Sequence, residues 1–176
     1  MPNAGSDGPD AESELAFAET HKSAWQQTLD DAEAMAEQYR SEGWETVLVP
    51  TGHTGPEARS HGQTDRFGLV VVIPGNKREA FEAAFERGTF PTYDVKVAES
   101  AGRVFYLTEL LDPEAGIALL LVGNYRLPDA KGLIRAAEDA DRMYTHVRML
   151  DGTHLGSFEH EEWRKFFPRV EAFLEE

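Results

Sequence analysis

The chain has 176 residues, which is enough for one domain with a substantial core. Its 32 Asp and Glu residues outnumber 17 Lys and Arg residues, and the resulting net charge of −15 disfavours nucleic acid and anionic membrane surfaces as partners. Cysteine is absent, so disulfides, thiolate zinc sites and a cysteine nucleophile are excluded.

The basic residues divide unevenly into twelve arginines and five lysines. Acid excess with few lysines is typical of proteins from salt-accumulating organisms, where dense carboxylates keep a protein hydrated while salt screens their repulsion. An ordinary acidic cytosolic protein is the alternative. Residues 1–14 have no basic region followed by an apolar core, and no apolar run approaches the ~18 residues of a membrane span. We therefore expect a cytoplasmic protein with no signal peptide.

The N-terminal third predicts a tail, a helix, a strand and a loop. Residues 1–13 are rich in acid and turn formers, which predicts a disordered acidic tail. Apolar residues recur at helical spacing from about Thr20, and Gly43 supplies the expected stop. Residues 44–49 predict a strand. The Gly- and His-containing stretch 50–65 predicts a long loop, of the kind that forms lids or binding sites.

Two unbroken apolar runs, within 67–76 and 116–124, organise the rest of the chain. A strand with one wet face alternates apolar and polar residues, whereas a strand covered on both faces is apolar throughout. Both runs therefore predict interior strands of a covered sheet. Both end in Gly-Asn, 48 residues apart, and both lead into a predicted helix. Asn76 is the expected N-cap of the first helix, which Gly88 should end.

Two more strands follow each helix, so the chain predicts two βαββ modules at about 66–112 and 116–160. Asp151-Gly152 is a strong hairpin signal in the second module. Two copies are too few for a solenoid, so we expect the modules to pair about a pseudo-two-fold axis. The best place for a binding cleft is then the region where the two apolar runs meet.

The C-terminal segment carries an aromatic stripe that Pro168 interrupts, which predicts two short helices. Such a stripe usually packs into a core, and a partner-binding helix is the alternative. The whole chain beyond the tail, residues 14–176, therefore predicts a single α+β domain. It begins with a helix and strand, continues with two βαββ modules in a mostly antiparallel sheet system, and ends with helices.

The second hairpin also predicts a shared polar face. A two-residue turn at Asp151-Gly152 pairs His146 with Ser157 and Tyr144 with Glu159. The predicted ligand-binding side chains are Tyr144, His146, Arg148, Ser157 and Glu159. They suit a small polar ligand or acid–base chemistry, with His146, Arg148 and Glu159 as weak catalytic candidates. A solvated face with ordinary ion pairs is the alternative.

Two other groups of residues are weaker candidates. Asn76, Lys77 and Arg78 lie at a predicted helix start, where free N–H groups attract anions, and they predict an anion site unless they are simply solvated. A set of histidines and carboxylates in or near the long loop lacks metal-ligand spacing, so no metal site is predicted. That set is His21, His53, Glu57, His61, Asp65 and His154.

Catalytic, nucleotide and cofactor motifs are absent from the sequence. We therefore predict a non-catalytic cytoplasmic binding or regulatory module, without a cofactor, that binds a small molecule or a protein partner. The alternative is a small hydrolase or isomerase, in which His146 acts as acid–base and Arg148 holds an anionic substrate.

Three segments carry a resemblance: His-Lys-Ser-Ala-Trp at 21–25, Glu-Gly-Trp-Glu-Thr at 42–46 and Thr-His-Val-Arg at 145–148. With them, most of the chain beyond the tail resembles small haloarchaeal proteins of an uncharacterised family, which implies a saline habitat and no particular activity. The βαββ duplication is similar in layout to the gyrase-inhibitory-protein group, whose paired modules hold small molecules in a groove between sheets. That similarity concerns topology and does not transfer function.

Overall fold

The computed structural model describes residues 7–58 and 67–175, and these contain helices at both ends with eight strands between them. The helices are α1 Asp7–Ser41, α2 Arg78–Arg87, α3 Lys131–Ala140 and α4 Val170–Leu174. The strands are β1 Glu45–Pro50, β2 His53–Glu57, β3 Gly68–Val72, β4 Thr92–Ser100, β5 Arg103–Asp112, β6 Ile117–Arg126, β7 Met143–Arg148 and β8 His154–His160. Short 3-10 helices, Gly75–Lys77, Leu127–Ala130 and Trp163–Phe166, precede α2, α3 and α4. The predicted α+β class is confirmed.

The strands form two four-stranded sheets. Sheet A has the order β1-β6-β5-β4, and sheet B has the order β2-β3-β7-β8. The β1–β6 and β3–β7 pairs are parallel, and the other four pairs are antiparallel. The two apolar runs form β3 and β6, which are interior strands that lead into helices, as the sequence predicts.

Each predicted βαββ module divides its strands between the sheets. Strand β3 lies in sheet B while β4 and β5 lie in sheet A, and β6 lies in sheet A while β7 and β8 lie in sheet B. The hairpins are not equivalent, because β5 meets β6 antiparallel whereas β7 meets β3 parallel. The predicted pseudo-two-fold pairing of whole modules is therefore wrong. The physical reason is the short turn at residues 113–116, which joins β5 directly to β6 and makes them antiparallel neighbours, whereas β3 is followed by α2 and has no such link to the second hairpin.

The main core lies between the two sheets, where inward side chains such as Val71 of β3 and Leu121 of β6 are buried with α2 and α3. A second cluster lies on the outer face of sheet A. There Ala32 and Ala36 of α1 pack with Leu120 and other apolar residues of the sheet. Both faces of sheet A are thus covered, which explains why residues 117–122 of β6 are all apolar.

Two predictions for the first 65 residues need correction. Helix α1 begins at Asp7, so residues 7–13 are helical rather than a disordered tail, while residues 1–6 lie outside the described part. Acidic residues near a helix N-terminus interact favourably with the helix dipole, and Ala and Glu are strong helix formers. The predicted loop 50–65 contains strand β2, because His53–Glu57 pairs with β3 along its whole length. Residues 59–66 lie outside the described part.

The second hairpin keeps the predicted register but has a different turn. His146 lies opposite Ser157 and Tyr144 opposite Glu159, as predicted. The connection is longer than two residues, because the Met149 N–H donates to the Thr153 carbonyl, and residues 150–152 form the turn. A register shift between Val147 and Arg148 compensates for this extra residue, so the two changes cancel beyond the bulge.

The C-terminal segment forms the predicted pair of short helices around Pro168 and packs into the main core. Trp163, Phe166 and Phe167 are buried there. The hydroxyl of Tyr125 donates to the Phe166 carbonyl at 2.8 Å, which fixes the segment against the end of β6. The aromatic stripe therefore packs into the core, as the first of the two interpretations of the sequence predicts. Among the described residues, no helix is long and apolar enough to span a bilayer.

Candidate functional site

The predicted polar face exists on the outer side of sheet B, and His146 is its centre. One ring nitrogen, Nδ1, lies 2.7 Å from the Ser157 hydroxyl, and the other, Nε2, lies 3.3 Å from the Phe67 carbonyl, which can only accept. The ring also stacks on Tyr144, with centroids 5.6 Å apart, and the residue is only 8% exposed. His146 is thus oriented by neighbours on three sides.

The structure does not bring all five predicted residues together. Glu159 lies beside Arg142 at 3.9 Å, at one end of the face. Arg148 lies at the other end, opposite His154, and its buried Nε has no hydrogen-bond partner in the described part of the chain. Tyr144, His146 and Ser157 therefore form a contiguous group, with Arg148 and Glu159 on either side of it.

Sequence reasoning missed other members of this face. Val70 and Val72 of β3 lie beside His146 and Arg148 in the parallel register and form an apolar strip. His154 Nε2 lies 3.2 Å from the Ser157 hydroxyl, because the bulge places it opposite Arg148. The parallel β3–β7 pairing and the bulge are long-range outcomes, and no local sequence pattern signals them.

A second region lies near the carboxyl ends of the two parallel pairs, β1 with β6 in sheet A and β3 with β7 in sheet B. Residues 51 and 52 cross this end and join the sheets. The Thr51 N–H donates to Val122 O of β6, and the Gly52 N–H donates to Val72 O of β3, each at 2.8 Å. Carboxyl ends of parallel strands are a common location for ligands in α/β sheets, because loops and helix starts meet there.

Buried hydroxyl groups hold the two sheets together at this end. The Thr54 hydroxyl lies 2.6 Å from the Tyr106 hydroxyl, and the Thr51 hydroxyl donates to the Val122 carbonyl at 2.9 Å. Burial raises the pKa of Tyr106 to about 12, so its hydroxyl stays protonated at neutral pH. Gly123 permits this close approach, since a Cβ there would clash with the hydroxyls of Tyr106 and Thr51. We call this group the hydroxyl seam.

An apolar cleft of about 500 Å³ opens on the sheet B side of residues 52 and 53. Its lining is Gly52, His53, Val72, Ile73, Pro74, Gly75, Arg78, Met149, Leu150 and Asp151. Most of this surface is hydrocarbon. The hairpin turn supplies Leu150, which is 88% exposed, while Arg78 pairs with Glu82 at 3.0 Å.

A polar cleft of about 290 Å³ lies on the other side of residues 52 and 53. Its lining is Thr51, Gly52, His53, Thr54, Arg103, Asn124, Tyr125, Arg126 and Asp129. Arg103 donates to the Asn124 side-chain oxygen at 2.8 Å, and Arg126 lies 3.6 Å from Asp129. Gly52 and His53 line both clefts, so the two spaces adjoin.

The predicted anion site does not form as a unit. The N-cap of α2 is Lys77 rather than Asn76, because the chain enters the helix through a 3-10 turn that begins at Gly75. Arg78 lines the apolar cleft, whereas Lys77 lines a separate depression beside α1. Asn76 lines neither cleft. The side chains of Lys77 and Arg78 therefore line different parts of the surface.

The predicted loop histidines do not combine into a metal site within residues 7–58 and 67–175. Among these residues, no group of three His, Cys, Asp or Glu side chains is placed to hold a metal ion. His21 instead contacts the Ala101 carbonyl at 3.2 Å, and His53 lines the clefts. His61 and Asp65 lie outside the described residues.

These observations define an α+β protein of two mixed four-stranded sheets, joined at one end by a hydroxyl seam with two adjoining clefts beside it. The chain belongs to a family of unknown function, DUF7529, whose model matches residues 11–168. No curated protein and no solved structure matches the chain. The match therefore assigns the chain to a family without assigning an activity.

Proposed function

We propose that this protein is a non-catalytic binding or regulatory module that takes a small molecule in the two adjoining clefts. The observation that supports this proposal is the position of Gly52 and His53, which line both clefts at the carboxyl ends of the interior strands. The sequence places a cleft where the two apolar runs meet, and Ile73 and Asn124 at their ends line one cleft each.

The hydroxyl seam supports binding because it makes the floor between the clefts rigid. Thr51 is anchored to β6 through both its N–H and its hydroxyl, and Gly52 is anchored to β3 through its N–H. A preformed site loses less conformational entropy on binding than a flexible loop does. Gly52 has no side chain, which leaves room between the clefts.

Backbone amide NMR of the full chain in molar KCl tests this proposal. The titrants are carboxylic acids, amino acids, sugars and nucleotides, added one at a time. We expect at least one compound to shift the amides of Thr51, Gly52 and His53 while the amides of exposed α1 residues stay unchanged. If no compound moves these three amides, the clefts do not bind small molecules of these classes and the proposal is wrong.

A matched pair of variants locates the site. His53→Ala removes a side chain that lines both clefts and should weaken the bound compound severalfold. His154→Ala removes an equally exposed histidine outside both clefts and should leave affinity unchanged. The opposite pattern would move the binding site to the polar face of sheet B, where His154 contacts Ser157.

The second candidate is a small hydrolase or isomerase that uses His146. The observation that favours it is the hydrogen bond of 2.7 Å between His146 and Ser157, combined with the Phe67 carbonyl that orients the ring from the other side. A hydroxyl beside an oriented base is the arrangement that activates nucleophiles. Arg148 would hold an anionic substrate at the end of the same face.

A comparison of variants separates this candidate from binding alone. An enzyme of this kind should lose hydrolysis of nitrophenyl esters in both His146→Ala and Ser157→Ala, whereas Arg148→Ala should chiefly raise the KM for anionic esters. Equal rates of ester hydrolysis in the wild type and in His146→Ala would contradict the hydrolase, and the binding module would remain the proposal.

We further infer a salt-rich cytoplasm as the working environment, on the basis of the net charge of −15 and the scarcity of lysine. Dense surface carboxylates repel one another at low ionic strength and are screened at high ionic strength. The midpoint of thermal unfolding should therefore rise between 0.1 M and 2 M KCl by more than it does in 2 M sorbitol, a neutral solute. An equal rise in both solutes would contradict this inference.

A further inference from the structure

We infer that the ligand of the two clefts is an amphipathic anion, with an acidic head in the polar cleft and an apolar body in the apolar cleft. This inference rests on the proposed binding function and adds the chemical class of the ligand. It follows from the unequal chemistry of two spaces that share Gly52 and His53.

The apolar cleft offers hydrocarbon to a ligand body. Val72, Ile73 and Pro74 form one side at the end of β3, and Met149 and Leu150 of the hairpin turn form the other. Leu150 is 88% exposed, and a ligand body beside it would remove that apolar surface from water. The volume of about 500 Å³ is sufficient for a chain or ring of several carbon atoms.

The polar cleft offers cationic donors to a ligand head. Arg103 is held by the neutral side chain of Asn124, and within the described residues no carboxylate lies within 4.0 Å of its guanidinium. Arg126 stands on the neighbouring strand in direct register with Arg103. Two guanidinium groups on neighbouring strands of one cleft are a donor set that carboxylates and phosphates prefer.

The strongly negative net charge does not prevent anion binding at this place. In molar salt the Debye length is about 3 Å, so distant carboxylates are screened and only groups within contact distance act on a ligand. Within residues 7–58 and 67–175, the carboxylate that lines the polar cleft beside Arg103 and Arg126 is Asp129, which lies 3.6 Å from Arg126. The local balance in the polar cleft is therefore positive.

The experiment uses the full chain in 1 M KCl with hexanoate, octanoate, octyl phosphate and octanol as probes, each kept below its micellar concentration and followed by amide NMR. We expect octanoate to bind about fifteenfold more tightly than hexanoate, because each of its two additional buried methylenes adds a roughly fourfold gain. Octyl phosphate should bind at the same amides as octanoate, and a preference between them identifies the acidic head. Octanol should bind more weakly than either anion.

Two variants with matched controls test the two ends of the ligand. Arg103→Gln should weaken octanoate about tenfold and octanol less than twofold. Arg40→Gln, at an exposed arginine of α1 outside both clefts, should change neither. Leu150→Ser should weaken octanoate and octanol equally, while Leu15→Ser, at another exposed leucine, should have no effect.

Three outcomes would overturn the inference. The first is an affinity that does not depend on the length of the carbon chain. The second is a loss of affinity in Arg103→Gln that is equal for octanoate and octanol. The third is a set of probe-induced shifts at amides outside the two clefts. If the probes fail while a sugar, amino acid or nucleotide still shifts Thr51, Gly52 and His53, the binding function stands and only the ligand class is wrong. If no compound shifts these amides, both the proposed binding function and the inferred ligand class are wrong.

Discussion

The two sheets of this protein have similar interior strands but very different outer faces. On sheet A, Leu107, Leu120 and Val122 are buried under α1. On sheet B, the outer face carries the His146–Ser157 pair beside Val70 and Val72. Sheet A is therefore covered mainly by hydrocarbon on both sides, whereas sheet B carries a buried titratable group, His146, on its outer side.

This difference separates the part of the fold that stabilises the protein from the part that carries the candidate sites. Helix α1 buries an apolar surface that would otherwise need a partner, so sheet A forms a stable base. The polar groups of both candidate sites lie on sheet B or at the end where the sheets join. Both candidate sites, the sheet B face and the clefts, belong to this second part.

The largest expected effect comes from the face under α1. Leu120 is fully buried there, and Leu120→Ala should lower the free energy of unfolding by about 2–5 kcal/mol. The matched change Leu150→Ala, at a leucine that is 88% exposed, should cost less than about 0.5 kcal/mol. Urea denaturation in molar KCl measures both. Similar values for the two variants would show that α1 does not seal sheet A.

The next effect comes from the hydroxyl seam between the sheets. Gly123→Ala should lower the free energy of unfolding by about 1–3 kcal/mol, because the new methyl group overlaps the hydroxyls of Tyr106 and Thr51. The control is Gly75→Ala, where a Cβ meets nothing within 4 Å. Urea denaturation again gives the difference. A stable Gly123→Ala variant would mean that the sheets can separate slightly without cost.

A third prediction concerns the inner face of sheet B and pH. Burial lowers the pKa of His160 to about 3, whereas an unfolded chain holds it near 6.5. The unfolded state therefore binds an extra proton between these values. His160 stabilises the fold fully above pH 6.5, and its contribution falls by up to about 1.4 kcal/mol per pH unit as the pH drops toward 3.

The measurement is the free energy of unfolding between pH 7 and pH 4. His160→Gln removes the group that takes up this proton, so the free energy of unfolding should fall less steeply with decreasing pH than in the wild type. His154→Gln, at an exposed histidine of the same strand, should keep the pH dependence of the wild type. If both variants behave like wild type, His160 is not buried in its neutral form.

The smallest effect concerns a single hydrogen bond that fixes α1 on sheet A. The Tyr39 hydroxyl donates to the buried Glu109 carboxylate at 2.7 Å, and both burial and Glu109 raise the pKa of Tyr39. Tyr39→Phe should cost about 1 kcal/mol, since water can reach part of the site and replace the donor. The control Tyr144→Phe removes a hydroxyl that has no hydrogen bond in the described structure and should be nearly neutral. Differential scanning calorimetry resolves such differences, and equal melting temperatures would contradict the prediction.

The sequence was sufficient for features with a strong local pattern. The apolar runs predict β3 and β6 as interior strands, because only a strand covered on both faces lacks polar residues. The pairing of His146 with Ser157 also agrees with the prediction, but only because the longer turn and the bulge cancel. The aromatic stripe near Pro168 predicts the short C-terminal helices that pack into the core.

Features that depend on distant contacts could not be predicted. Strand β2 has the sequence His-Thr-Gly-Pro-Glu, which has low strand propensity and becomes a strand through its pairing with β3. At the edge of a sheet, Pro56 is tolerated. The clefts also have no local pattern, since they form where Thr51, Asn124 and Met149 meet from separate parts of the chain.

The crossing at Thr51 and Gly52 has a consequence for dynamics. Both amides belong to a connection rather than to a strand, and amides in connections usually exchange with solvent quickly. Here each amide donates to a different sheet, so their exchange requires the two sheets to part at this end. Hydrogen exchange at these two positions therefore reports on the opening of the whole joint, and slow exchange there would mean that the two sheets rarely part at this end.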